Sequence, residues 1–293
     1  MSQSIAALPP DRVVLAPSER RDAVLDVIRQ ARSHLSLSLF RCNDKEIFRE
    51  LHAAVDRGVD VEVLVTSRAK GGRKQLRKLW QRLSETGATV YAYNDPVVKY
   101  HAKYLVADDG PALVASLNFT KKCFSKTCDV IVVTHDPAVV AGLRQLMSTD
   151  RDGLAAPDTL PARIVLGPEH ARRQFMTLIE QAQSSIALID GKLSDPGILA
   201  LMDRRRAEGI SVFVHDASRV GNLKVHGKIM LIDDARAVVG SLALTALSLD
   251  FRREVAITID EPASVSQIRS LFRSLDVAGT SGDIPAATGG AKC

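Results

Sequence analysis

KYHAKYLVADDGPALVASLNFT, residues 99–120, and LKVHGKIMLIDDARAVVGSLALT, residues 223–245, set one pattern twice in a single chain. Each places a histidine and a lysine two apart, His101 with Lys103 and His226 with Lys228, at the mouth of an apolar run that reads as a β-strand. In each, an aspartate follows five residues after the lysine, Asp108 and Asp233. A small residue and a serine come next, Ala115-Ser116 and Gly240-Ser241, the small residue seven positions after the aspartate. Strand residues alternate faces, so the histidine and lysine of each pair point the same way.

The repeat extends outward from these clusters. LAPSERRDAVLDVIRQARSHLSLSLF, residues 15–40, runs in register with LGPEHARRQFMTLIEQAQSSIALID, residues 166–190, with Ile28 over Ile179 and Ser33 over Ser184. The offset is 151 residues through these stretches and the next helix, and it has fallen to 125 at His101 and His226. The first half therefore carries an insertion of 26 residues, placed at about 68–100. Each half reads helix, strand, helix, strand, a pair of strands holding the His-x-Lys cluster, a further strand and a closing helix, over 137–147 and 262–275. That alternation predicts an α/β fold with mixed sheets: a first lobe over 12–150, a Pro/Gly/Asp-bearing linker over 151–163 and a second lobe over 164–277. Two such lobes packed about a pseudo-twofold axis bring both clusters to one cleft. The Gly/Ala/Thr-rich tail, 278–293, reads as disordered.

A chain of 293 residues with 46% hydrophobic and 25% charged residues has the composition of a globular protein. Aromatics at 4% argue against broad base-stacking platforms, and a net charge of +5 favours an anionic partner. No apolar run approaches the ~20 residues a bilayer requires, and the N-terminus lacks the basic and apolar regions of a signal peptide. Cys42, Cys123, Cys128 and Cys293 show neither zinc-site spacing nor a disulfide framework, so a reduced, cytoplasmic setting is expected.

Two imidazoles and two ammonium groups around one tetrahedral oxyanion meet the requirements for breaking a phosphodiester without metal. One histidine attacks phosphorus in line, the other protonates the leaving oxygen, and the lysines neutralise the equatorial oxygens. A metal cofactor is not expected, because a neighbouring ammonium repels a cation and no clustered carboxylates or thiolates complete a shell. Asp129 lies 28 residues after His101 and Glu254 lies 28 after His226, each at the start of a strand. One carboxylate per half is thus available to hold a ring Nδ1 and fix its tautomer. His34, His52, His135, His170 and His215 have no repeated partners and read as ordinary surface or core residues.

The pattern His-x-Lys-x4-Asp-x6-Gly-Ser-x-Asn resembles the signature of the phospholipase D superfamily, in two copies spanning nearly the whole chain. The first copy departs from it at Ala115, where glycine is usual, and the second at Ala243, where asparagine is usual. The SLNFT ending of the first copy is also similar to that of the family's small nucleases. The resemblance implies a bilobal fold with the site at the lobe interface, a covalent phosphohistidine intermediate, no metal and no other cofactor. It implies His101 as nucleophile and His226 as general acid and then base, with Lys103, Lys228 and Asn118 gripping the phosphate. Ser116 and Ser241 line the site, while Asp108 and Asp233 read as structural caps. Losing the second asparagine removes one phosphate donor.

The insertion is the main departure from symmetry. SRAKGGRKQLRKLWQRLS, residues 67–84, carries seven Lys/Arg and no acid, with Leu76, Leu79, Trp80 and Leu83 at helical spacing. A helix from Arg73 is therefore expected, docked on the first lobe with a solvated basic face. A sharper reading makes Arg73, Lys74, Arg77 and Lys78 a guide for nucleic-acid phosphates or for an anionic phospholipid surface. The expected reaction is phosphodiester cleavage or transfer. The basic insertion, the SLNFT ending and the lack of a membrane segment tip the substrate narrowly toward nucleic acid. A phospholipid phosphodiester is the alternative, and a non-catalytic phosphate-binding protein a third reading. Fused halves make a monomer sufficient.

Overall fold

The computed structural model describes residues 9–68, 72–157, 159–215 and 218–276. In the first lobe a short strand, β1 (Arg12–Val14), leads into α1 (Pro17–Gln30). Proline suits the first turn of α1, because its fixed φ is already helical and its missing N–H has no partner there. Then follow β2 (His34–Leu39), α2 (Lys45–Asp56), β3 (Asp60–Thr66), α3 (Arg73–Ser84) and β4 (Thr89–Tyr93). The lobe continues through β5 (Lys99–Tyr100), β6 (Tyr104–Ala107), β7 (Ala112–Ala115), α4 (Lys121–Lys126), β8 (Thr127–Cys128), β9 (Ile131–Thr134) and α5 (Pro137–Asp152).

The second lobe repeats the order. It opens with β10 (Ile164–Gly167), α6 (Ala171–Gln181), β11 (Ser185–Ile189), α7 (Pro196–Ala207) and β12 (Ser211–His215). After these come β13 (Arg219–Val220), β14 (Leu223–Val225), β15 (Lys228–Ile232), β16 (Arg236–Gly240), α8 (Ala246–Phe251), β17 (Arg252–Ile259) and α9 (Pro262–Asp276). Equivalent N-caps reinforce the repeat. Asp44 caps α2 and is paired by Arg21, while Asp195 caps α7 and is paired by Arg172.

Both sheets are mixed and share one strand order, β1-β9-β7-β6-β2-β3-β4 in the first and β10-β17-β16-β15-β11-β12 in the second. The insertion appears as α3 and β4, with β4 extending the first sheet as a parallel edge strand on β3. Two features were not legible in the sequence. Each half opens with a short strand, β1 or β10, laid antiparallel on β9 or β17. The first closing helix also runs on to Asp152, into the stretch read as linker, and ends at Gly153 with φ 67°. The tail, 278–293, lies outside the described residues.

Three apolar layers hold the molecule. Leu105, Leu113 and Ile131 face α1 and α2, while Met230, Val238 and Ala256 face α6 and α7. The alternate residues of the same strands share one central core, Tyr104, Val106, Val114 and Val132 from the first lobe with Ile229, Leu231, Val239 and Val255 from the second. With period-two alternation, the central strands β6, β7, β9, β15 and β16 are buried on both faces, and the lobes are welded along their inner ones. Gly240 marks how close the strands come, since a Cβ there would sit 2.4 Å from Ala256 Cα.

Candidate active site

The strand leading into each His-x-Lys pair crosses to the other lobe. β5 pairs in parallel with β17, Lys99 opposite Arg252 and Tyr100 opposite Arg253. Reciprocally, β14 pairs with β8, Lys224 opposite Thr127 and Val225 opposite Cys128. The His101 N–H then donates to Arg253 O at 2.9 Å, and the Gly227 N–H to Cys128 O at 2.8 Å. A Cβ on residue 227 would lie 2.8 Å from that same oxygen, which explains glycine between His226 and Lys228.

This crossing decides which carboxylate meets which imidazole. His101 Nδ1 lies 2.6 Å from Glu254 Oε1, and His226 Nδ1 lies 2.9 Å from Asp129 Oδ1. Each carboxylate therefore holds the ring of the opposite lobe. Both are fully buried and held in turn. Asp129 accepts from Ser116 Oγ at 2.8 Å and Thr127 Oγ1 at 2.5 Å, and Glu254 accepts from Ser248 Oγ. Holding Nδ1 leaves Nε2 of each ring for chemistry.

The first lobe's pair is the more enclosed. Lys103 Nζ lies 3.1 Å from His101 Nδ1, and the Phe40 ring packs 4.5 Å from the His101 ring and 5.5 Å from the ammonium. Burial, and then the Lys103 charge, lower the His101 pKa to about 4, so the ring is neutral and carries a free lone pair at neutral pH. Burial lowers Lys103 to about 7, against the pull of Glu254 and Asp129. For Glu254, burial pushes upward but is outweighed by His101 and Lys103, which hold the carboxyl below its usual range. In the second lobe Lys228 donates to His226 O at 2.6 Å and lies 3.4 Å from Asp190 Oδ1. Buried Asp190 has no acidic counterpart in the first half, where Leu39 stands in register, so duplication gave no signal for it.

Asn118 is buried, and its side chain makes no hydrogen bond among the described residues, leaving its amide free for a ligand. Its counterpart Ala243 offers only a backbone N–H, already donated to Ser248 Oγ. Ser116 and Ser241 are buried with their hydroxyls engaged, Ser116 on Asp129 and Ser241 on the Val255 backbone. Asp108 and Asp233 sit away from the imidazoles. With φ of 46° and 54°, they accept the N–H groups of residues 32–34 and 183–185, pinning the starts of β2 and β11. Arg73, Lys74, Arg77 and Lys78 are exposed on α3, whose Leu79 and Leu83 are buried in the first lobe.

Cys123, Asp129 and His226 bring ligand atoms within 4.8 Å of one another. In the other half Ser248, Glu254 and His101 occupy the same register, with a hydroxyl in place of the thiol. Since the Asp129 oxygens are already shared among His226, Ser116 and Thr127, the trio acts as an orienting network. Ser248 and Thr127 were missed in the sequence. Ser248 and Cys123 each stand six residues before their carboxylate, a spacing visible only once the carboxylates are known to matter.

The family described as "Cardiolipin synthase, PLD-like domain" matches residues 24–151 and 178–275. A polyphosphate kinase of Mycobacterium ulcerans is 26% identical, over 81% of this chain and 37% of its own length. Cardiolipin synthase B of Salmonella typhi is 25% identical, over 87% of this chain and 77% of its own. The polyphosphate kinase structure from Porphyromonas gingivalis superposes with a TM-score of 0.72 at 19% identity, covering 90% of this chain and 50% of that one. The chain thus spans between a third and a half of the polyphosphate kinases it matches, and most of the cardiolipin synthase.

Proposed function

The chain belongs to the phospholipase D superfamily, and from that membership we propose that it cleaves or transfers phosphodiesters through a covalent phosphohistidine. The observation that carries this reading is the reciprocal pairing at the seam, His101 on Glu254 and His226 on Asp129, with Lys103 beside the first ring and Lys228 on the His226 carbonyl. His101 Nε2 attacks phosphorus as a P–N bond forms and the P–O bond to the leaving group breaks. His226, protonated on Nε2, gives its proton to the departing oxygen. Glu254 stabilises the positive charge that grows on His101, and Lys103, Lys228 and the Asn118 amide take the equatorial oxygens. In the second half, an acceptor hydroxyl loses its proton to His226 and displaces His101 from phosphorus. Water as acceptor gives hydrolysis, and an alcohol gives transfer.

For the substrate we favour a phospholipid phosphodiester. This reading is supported by the family's description and by a cardiolipin synthase aligned over most of both chains. Nucleic acid, the narrow preference from sequence, keeps the support of the exposed cationic face of α3. The purified protein, with EDTA, is assayed on phosphatidylglycerol vesicles, DNA, RNA and inorganic polyphosphate, beside a His101→Ala/His226→Ala control. Turnover of vesicles alone is the expected result, and turnover of nucleic acid alone selects the second reading. Equal activity in wild type and control, on these or on bis(p-nitrophenyl) phosphate, ends the mechanism.

A further inference from the structure

The two walls of the site are not equivalent, and the difference is one of charge. At the C-terminal end of β2 the first lobe presents Leu39, Phe40 and Arg41, with Phe40 packed on the His101 ring and Arg41 turned onto Phe40. The same register in the second lobe holds Asp190, Gly191 and Lys192. Asp190 Oδ1 accepts the Lys192 backbone N–H at 3.0 Å and lies 3.4 Å from Lys228 Nζ, so one carboxylate holds the main chain of residue 192 beside the Lys228 ammonium. A second substitution has the same sense. Thr127, which donates to Asp129, is replaced in register by Arg252, whose Nη1 is 3.8 Å from Glu254 Oε1, the oxygen facing His101.

Lys103, Lys228 and Arg252 therefore lie among Asp129, Glu254 and Asp190, with Lys192 on the adjoining wall. Asp129 and Glu254 are already committed to the imidazoles. The crowding is felt at Lys192, whose pKa is lowered by partial burial and then by repulsion from Lys228 and Arg252. Lys192 is exposed and makes no ion pair among the described residues. The phosphate held by Lys103, Lys228 and Asn118 leaves Lys192 over, together with Arg252, whose one ion pair among the described residues is the 3.8 Å contact with a Glu254 carboxylate already engaged by His101.

We propose that Lys192 and Arg252 form a second anion subsite on the second-lobe wall, taking a further phosphate group borne by the substrate next to the reacting one. Within the phospholipid class favoured above, the subsite then selects a phosphodiester with a second phosphate nearby over one whose surroundings are neutral. The subsite also supplies, on the half that carries Ala243, the anion-binding groups that the missing asparagine does not. This inference rests on reading His101, Lys103 and Lys228 as the reacting-phosphate site.

Calorimetric titration of the full chain with orthophosphate and with pyrophosphate tests it without requiring turnover. The titration is run below the pH of about 7 at which Lys103 loses its proton. Pyrophosphate should bind about tenfold or more tightly than orthophosphate, the effect of one added charge-assisted hydrogen bond. In Lys192→Met, a change at an exposed side chain, the ratio should fall to within about threefold while orthophosphate affinity holds. Arg252→Met should shift the ratio the same way. A ratio near one in the wild type, or one unchanged in both variants, overturns the subsite and leaves the catalytic reading intact. Orthophosphate binding that is absent, or indifferent to Lys103→Met and Lys228→Met, overturns both.

Discussion

His101 and Lys103 occupy a buried corner where desolvation works to opposite ends. It strips His101 of its proton, as the proposed nucleophile requires, while it brings Lys103 close to losing the charge that the proposed mechanism sets against phosphate. On a small diester, kcat/KM should rise as pH climbs past about 4, where the imidazole deprotonates, and fall above about 7, where the ammonium does. In Lys103→Arg the share of the falling limb set by residue 103 should be lost, because a guanidinium stays charged, leaving only the limb set by the His226 acid. A wild-type profile flat between pH 6 and pH 9 contradicts this placement of Lys103. His101→Ala should remove turnover. His226→Ala should slow it by ~10²–10⁴-fold and let a phosphorylated protein accumulate, visible as an added mass after rapid quench. Accumulation in the His101 variant instead would reverse the two roles.

At the level of elements, α3 shows how a basic helix is anchored without its charges. Leu79 and Leu83 are buried and Leu76 and Trp80 pack on the first-lobe core, so Arg73, Lys74, Arg77 and Lys78 are free to face solvent. Changing those four to glutamine should leave the melting temperature nearly unchanged. Polyanion binding should weaken, the salt dependence of DNA affinity flattening by about 0.9 per charge in contact, or vesicle affinity dropping by about 1 kcal/mol per charge. Unaltered binding to both would leave the helix as a docked, solvated element. The turn between β14 and β15 is constrained more tightly. Gly227→Ala would drive a methyl against Cys128 O, which belongs to the strand presenting Asp129. The expected result is a loss of ~1–3 kcal/mol of stability, with kcat falling more than KM rises as His226 shifts from its carboxylate.

Across the whole molecule, the seam holds both the chemistry and the assembly of the lobes. Behind the His101 strand, buried Arg253 of the second lobe bonds Asp150 of the first at 2.9 Å, along with Gly167 O and Glu169. Its own carbonyl receives the His101 N–H. Arg253→Met would strand the Asp150 carboxyl inside and should cost ~3–5 kcal/mol, read as a lower urea midpoint for one cooperative transition. Two separated transitions, or a cost under about 1 kcal/mol, would show that the lobes are held elsewhere.

Much of this was legible in the chain, because duplication converts weak signals into paired ones. The two His-x-Lys clusters, their carboxylates at equal spacing, the mixed α/β layers and the basic helix from Arg73 all follow from local periodicity and register, which sequence encodes directly. Asp190, Lys192, Arg252 and Phe40 had no partner in the repeat, so nothing in the sequence raised them above background. Which carboxylate serves which imidazole was beyond it as well. That depends on β5 and β14 each leaving its own sheet for the opposite lobe, and a strand's choice of neighbour is settled by nonlocal packing of the central core. Local spacing determined what groups the site contains. The crossing of the lobes decided whom each group faces, because burial at the seam alone brings atoms 97 residues apart, in His226 and Asp129, or farther, in His101 and Glu254, into hydrogen-bonding range.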